Sequence, residues 1–362
     1  MLKIIIVAIL ISVIAIGSRI DFAIFPAASP SVTPDNSSAP SPTPTITLSI
    51  PQQRKALNND YHIFQTFNNC GPAALSMALS YYGINETQRK LGQDLRPYQN
   101  LIGDNDDKSV TLSELGEKAR EVNLIPYHRP LGNIEIIRLF IAYDIPIIAR
   151  TLTKESEDIG HYRVIKGYDD TTSEIIQDDS LQGKNLKYSF KTFNALWAKF
   201  NFEYLVLVPE EKKEIADAIL GENKDTKTAW ENATINAKKQ LDLDPNDIYA
   251  RLNHSVALYN TGQYQKSVEE FEKAESKLSF RTLWYQIEPI LAYYKLGNFK
   301  KVFSMTDEIL NNGNRAFSEL YIMRGNIFQK QGNPDLAEQE YEKAVLYNNN
   351  MQAAKDALAS AE

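Results

Sequence analysis

The chain has 362 residues, of which 43% are hydrophobic and 23% charged, with a formal net charge of −7. That is ordinary globular composition, with apolar mass for real cores and length for two or more domains. The acidic balance and the lack of any basic run argue against nucleic acid as a partner, since phosphates need clustered Lys and Arg.

In chain order, residues 1–26 place Lys3 before an apolar run from Ile4 to Gly17. That run has the length of a signal-peptide core and falls short of the ~20 residues of a membrane span. Ala15-Ile16-Gly17 suits a small-x-small cleavage site, whereas the second apolar patch, Phe22–Phe25, suits an uncleaved anchor. Either way an exported protein is expected, extracellular or at the cell surface, touching a membrane only through this segment. Residues 27–51 are rich in Pro, Ser and Thr and read as a solvated linker. Residues 52–209 form the first predicted globular unit. Helical patterns run over Cys70–Tyr82, Thr111–Val122 and Asn133–Tyr143, with Gly83 as a stop and Thr111 and Glu114 spaced as a capping box. Strand patterns follow at Pro146–Arg150, His161–Tyr168, Glu174–Gln177 and Tyr204–Val208, with a hairpin turn at residues 169–173. Helices first and antiparallel strands after predict an α+β domain.

Residues 225–362 are helical throughout and periodic. Gly262, Gly297 and Gly332 stand 35 apart. Ser267, Val302 and Ala337 follow them by five residues, and Ala274, Ile309 and Ala344 by twelve. Small residues at such places let two helices of a hairpin approach, and each hairpin then buries its other face on its neighbour. The pattern resembles the tetratricopeptide repeat, whose period is ~34. Ala229–Leu241, ahead of Asp244-Pro245, reads as the last helix of an earlier, degenerate repeat.

Cys70 is the sole cysteine, so it forms no internal disulfide. It is either a small buried hydrophobe or a thiol kept for a reaction. It opens a helix, where exposed amides favour the thiolate, and Pro72 fits the first turn. These features predict a thiol that titrates below the usual value. A thiolate nucleophile needs a base. Of four histidines, His254 lies in a repeat helix, His128 in a polar stretch that reads as surface, and His62 in the entry segment. His161 opens a strand after Gly160 and is the best placed. A base needs an acceptor on its far ring nitrogen, and the next strand ends in Asp178 and Asp179. Acyl transfer also needs oxyanion donors. Cys70's own N–H and the Gln65 side chain, five residues earlier, are the candidates. No zinc-spaced ligand set and no Gly-rich phosphate loop occurs, so no metal or cofactor is expected.

Together, QTFNNCGPAALSMALSYYG, GHYRVIKGYDD and IIQDDSLQG, with the closing YSFKTFNALW, span about residues 60–208. They resemble the papain-like double-glycine peptidases that process bacteriocin leader peptides, in their stand-alone form. The resemblance implies Cys70 as nucleophile, His161 as base and Gln65 as oxyanion donor. It implies Asp179 as the acid, four residues before Gly183, with Asp178 as the alternative. Two departures stand out: Ser180 replaces the common proline, and Gln65 precedes the cysteine by five residues where transporter-fused members have six. The sequence shows no transporter or ATPase pattern, so the leader-peptide substrate is not carried over. The expected architecture is an α+β papain-like cysteine peptidase domain followed by an all-α tetratricopeptide-repeat solenoid. The expected function is cleavage of a protein or peptide by a Cys-His-Asp mechanism, with the repeats binding substrate or partner protein. The alternatives are an inactive papain-like scaffold serving as an interaction module, and a Cys-dependent acyltransferase.

Overall fold

Seven strands form one antiparallel sheet in the computed structural model, which describes residues 46–98 and 110–361. The predicted export segment and most of the predicted linker lie outside the described residues. Among the described residues, no helix is long and apolar enough to cross a membrane. The chain enters through β1 (Arg54–Ala56), α1 (Cys70–Ser80), α2 (Gln88–Leu95) and α3 (Leu112–Arg120). It continues through β2 (Ile125–Arg129), α4 (Ile134–Ala142), β3 (Ile147–Leu152), β4 (Gly160–Asp169) and β5 (Glu174–Asp179). β6 (Gly183–Ser189), α5 (Phe190–Trp197), β7 (Tyr204–Val208) and α6 (Lys213–Leu220) complete the first half. The strands lie in the order β2-β7-β3-β4-β5-β6, and β1 pairs with the far end of β4.

Side-chain alternation explains the layers. On β7, Tyr204, Val206 and Val208 pack with Phe140 of α4, Trp197 of α5 and Ile219 of α6. Leu205 and Leu207 pack on the opposite face with Leu75 and Met77 of α1 and Leu115 of α3. Helices thus cover both faces, which is why YLVLV is apolar at every position. The capping box forms as expected: Glu114 N–H donates to Thr111 Oγ1 at 3.2 Å, and Thr111 N–H to Glu114 Oε2 at 2.7 Å.

The elements of the first half absent from the sequence reading are β1, β2, β6, α2, α5 and α6. β2 and β6 are the sheet's edges, and edge strands carry the polar and proline residues that blur a strand pattern. β2 contains Pro126, and β6 reads GKNLKYS. The end of the predicted linker is also part of the fold, since Leu48 packs on the core and Ser49 N–H donates to Tyr143 Oη at 2.7 Å.

The second half is helical: α7 (Thr226–Leu243), α8 (Ile248–Asn260), α9 (Tyr264–Ala274), α10 (Thr282–Tyr285), α11 (Glu288–Lys295), α12 (Phe299–Asn311), α13 (Ser318–Lys330), α14 (Pro334–Tyr347) and α15 (Gln352–Ala359). Gly262, Gly297 and Gly332 adopt φ of +77°, +74° and +75° in the turns α8–α9, α11–α12 and α13–α14, a left-handed conformation that favours glycine. The six small or modest residues set by the period are all buried. One repeat is irregular. α11 has 8 residues where α8 and α13 have 13. Pro289 sits in its first turn, the place in a helix where proline is tolerated, and α10 takes up the chain ahead of it.

The helices pack back on the sheet domain. Asn253 of α8 accepts from Asn201 N–H at 3.1 Å and donates to the Ala198 carbonyl at 2.6 Å. Arg281 pairs with Asp158 at 2.7 Å, and Arg150 Nη2 donates to the Tyr285 carbonyl. Asn348 and Asn350, after α14, donate to carbonyls at the end of α2.

Candidate active site

Cys70 is the first residue of α1 and is buried. Its neighbour Gly71 lies so close to Val110 that an added Cβ would stand 2.0 Å from Val110 Cγ2. This is the close approach that glycine permits. Burial pushes the thiol up to about 11, against the pull of the N–H groups of Gly71 and Tyr162. The expectation of a thiol below its usual value is therefore not met. The helix start favours the thiolate as predicted, but desolvation outweighs it.

His161 is the second residue of β4 and is 2% exposed. Its Nε2 donates to Asp179 Oδ1 at 2.9 Å. Arg163 stands two residues on along β4, opposite Asp179 in the strand register, and its Nε lies 3.0 Å from Asp179 Oδ2. Asp179 Oδ1 also accepts the N–H groups of Leu181 and Gln182 at 2.7 and 2.9 Å. Burial opposes charge on this carboxyl, but the His161 hydrogen bond and charge, with Arg163, outweigh it and hold it at about 2. Asp178 points elsewhere: it pairs with Lys166 at 2.9 Å and accepts from Asn185 N–H at 2.8 Å. Of the two aspartates, the geometry brings Asp179 to His161. Because Nε2 is engaged there, Nδ1 is the nitrogen left for exchange with a thiol.

Gln65 is tied to the turn after β5. Its N–H donates to the Ser180 carbonyl at 2.8 Å, and Ser180 Oγ donates to Gln65 Oε1 at 2.9 Å. With its oxygen engaged, the carboxamide has its NH2 group left to donate. Gln65, Cys70 and His161 line one cavity of about 80 Å³. Among the described residues, the Cys70 sulfur makes no hydrogen bond to a His161 ring nitrogen; they share the cavity wall.

The other histidines are elsewhere, with one partial exception. His62 Nε2 lies 3.0 Å from the Asp179 carbonyl, so the entry segment touches the acid's backbone. His128 is not a plain surface residue: it lies on β2 and bonds Glu203 at 2.9 Å. His254 is on α8, facing Glu270. The sequence reading also missed three residues of the cavity wall, Trp284, Tyr285 and Asn314, all from the helical half. The signal available was the aromatic segment SFRTLWYQI immediately ahead of the helix-resetting Pro289.

Residues 47–205 match the model of the Peptidase_C39 like family, and residues 318–357 that of the Tetratricopeptide repeat. No curated protein matches the chain. Solved structures with similarity include one described as a C39-like peptidase from Bacillus anthracis, at 18% identity and TM-score 0.36, covering 43% of this chain and 98% of that one. The peptidase domain of Streptococcus ComA, a bi-functional ABC transporter of a quorum-sensing pathway, aligns at 21% identity and TM-score 0.32, covering 41% and 97%. A tetratricopeptide repeat protein from Parabacteroides merdae aligns at 18% identity and TM-score 0.31, covering 42% and 64%. The chain thus carries a Peptidase_C39-like domain over residues 47–205, followed by a helical region with a tetratricopeptide repeat at residues 318–357.

Proposed function

We propose that the protein is an exported cysteine peptidase whose Cys70, His161, Asp179 and Gln65 cleave a peptide bond of a protein or peptide substrate. The observation that carries this reading is the His161 Nε2–Asp179 Oδ1 hydrogen bond of 2.9 Å beside a cavity shared by Cys70 and Gln65. In this reading His161 Nδ1 takes the thiol proton as the sulfur attacks the carbonyl carbon. The oxyanion is held by the Gln65 side-chain amide and the Cys70 N–H at the start of α1. The imidazolium then gives its proton to the leaving amine, and the thioester is hydrolysed by water. Asp179 keeps the ring oriented and stabilises the imidazolium. The repeats hold a protein partner or substrate, and the apolar N-terminal stretch directs export.

The high thiol value favours one second reading, an inactive papain-like scaffold that serves the repeats. One experiment separates the two. Wild type and Cys70→Ala are incubated with the exported proteins of the source organism, and new termini are mapped. Termini produced by wild type and absent with Cys70→Ala and His161→Ala support the peptidase. Identical maps sink it.

A further inference from the structure

We infer that the helical half completes the substrate cleft: Trp284 and Asn314 form a subsite for the peptide main chain. This rests on the reading of the Cys70 cavity as a peptide-cleaving cleft. The cavity is built from both halves of the molecule, lined by Cys70 and His161 of the first and by Trp284, Tyr285 and Asn314 of the second. Trp284 is 5% exposed and Asn314 1%. Trp284 Nε1 and both polar atoms of the Asn314 carboxamide are buried without a hydrogen-bond partner in the protein. Buried polar groups are nearly always paired, and leaving them unpaired is costly. Three such atoms, on two residues that line one cavity with the proposed nucleophile, mark the place where a ligand supplies the missing partners.

The chemistry of those atoms names the ligand class. A carboxamide offers one acceptor and an NH2 donor side by side, and an indole offers one donor. A peptide unit presents the matching N–H and C=O. An extended main chain entering between the halves satisfies Asn314 with one peptide unit and Trp284 with a neighbouring carbonyl. Ile159 and Leu181, 42% and 52% exposed, also line the cavity and offer apolar contact to a substrate side chain. The irregular repeat then has a purpose. Shortening α11 frees the α10 segment to carry Trp284 to the site.

The test uses the full chain labelled with 5-fluorotryptophan, which gives one fluorine resonance for each of three tryptophans. Trp197, whose Nε1 donates to the Glu203 carbonyl, and Trp230 in the repeat core are internal controls. Cys70→Ala protein is titrated with N-acetyl-tetraalanine amide, whose side chains suit a small cavity. The expected result is a saturable shift of the Trp284 resonance alone, with affinity reduced about tenfold by Asn314→Leu, as loss of paired hydrogen bonds implies. Asn314→Leu keeps the branched heavy-atom shape and removes an amide that has no protein partner, so the melting temperature should hold or rise. A structural asparagine would lower it. Asn314→Asp, which removes the donor, serves if the leucine variant fails to fold. A Trp284 resonance unmoved by millimolar peptide, where the wild type cleaves labelled casein, overturns the subsite and leaves the peptidase standing. A saturable shift without casein cleavage does the reverse. A shift insensitive to both Asn314 variants shows that the peptide binds without Asn314 and overturns the proposal.

Discussion

At Cys70 the N–H groups of Gly71, Tyr162 and Cys70 itself favour a negative sulfur, while apolar packing opposes it. Packing wins, so the thiol holds its proton at neutral pH. In the proposed reaction, proton transfer to His161 accompanies attack and does not precede it. This has a measurable consequence. The rate of Cys70 alkylation by iodoacetamide should rise about tenfold per pH unit from pH 7 toward 10, because only the thiolate reacts. A plateau already reached at pH 6 would show a preformed thiolate–imidazolium pair and contradict the burial argument. The residues themselves were largely legible in the sequence. Cys70 was marked by its uniqueness and helix start, and His161 by its strand. The thiol's protonation was not legible, because desolvation depends on what packs around α1, and Val110 and Tyr162 come from distant segments.

At the scale of elements, the turn after β5 does two jobs. Its N–H groups hold the Asp179 carboxylate, and Ser180 holds Gln65. In the sequence Ser180 was only a departure from a proline. In the fold its hydroxyl fixes which end of the Gln65 carboxamide is free, so the departure and the glutamine belong together. Ser180→Ala should lower kcat/KM on a peptide substrate by about 3- to 10-fold, the worth of one neutral hydrogen bond. The melting temperature should barely move, and Ser180→Thr should restore the rate. An unchanged kcat/KM in Ser180→Ala would remove Gln65 orientation from the mechanism. Helices α1, α3 and α4 were readable from their apolar spacing, and the strands of the sheet centre as short runs rich in β-branched and aromatic residues, covered on both faces. β2, β6 and α2 were not, because Pro126 in β2, the lysines of β6 and the polar residues of α2 dilute the apolar period.

At the scale of the molecule, the two halves meet around charge. Glu288 of α11 carries a buried Oε2 without a partner. Burial first, and then the negative Glu203, raise this carboxyl to about 7, with Arg150 pulling the other way. Glu203 is itself engaged by His128 at 2.9 Å and lies 3.8 Å from Arg150 Nη1. None of this was legible in the sequence, since the groups lie on β2, β3, the segment before β7 and a repeat helix. The sign follows from linkage. A carboxyl with a raised folded value binds its proton more tightly in the folded protein. Its contribution is therefore fully present below the unfolded value near 4.5 and is lost as pH rises through about 7. Each pH unit between the two values is worth about 1.4 kcal/mol, so the loss by pH 8 is at most about 3.5 kcal/mol, and less where water reaches the group. Glu288→Gln keeps the shape and cannot ionise. It should match wild type in denaturant melts at pH 4 and exceed it by about 2 kcal/mol at pH 8. Equal stabilities at pH 8 would mean that Glu288 reaches water in solution and that the join between the halves is looser than its hydrogen bonds imply.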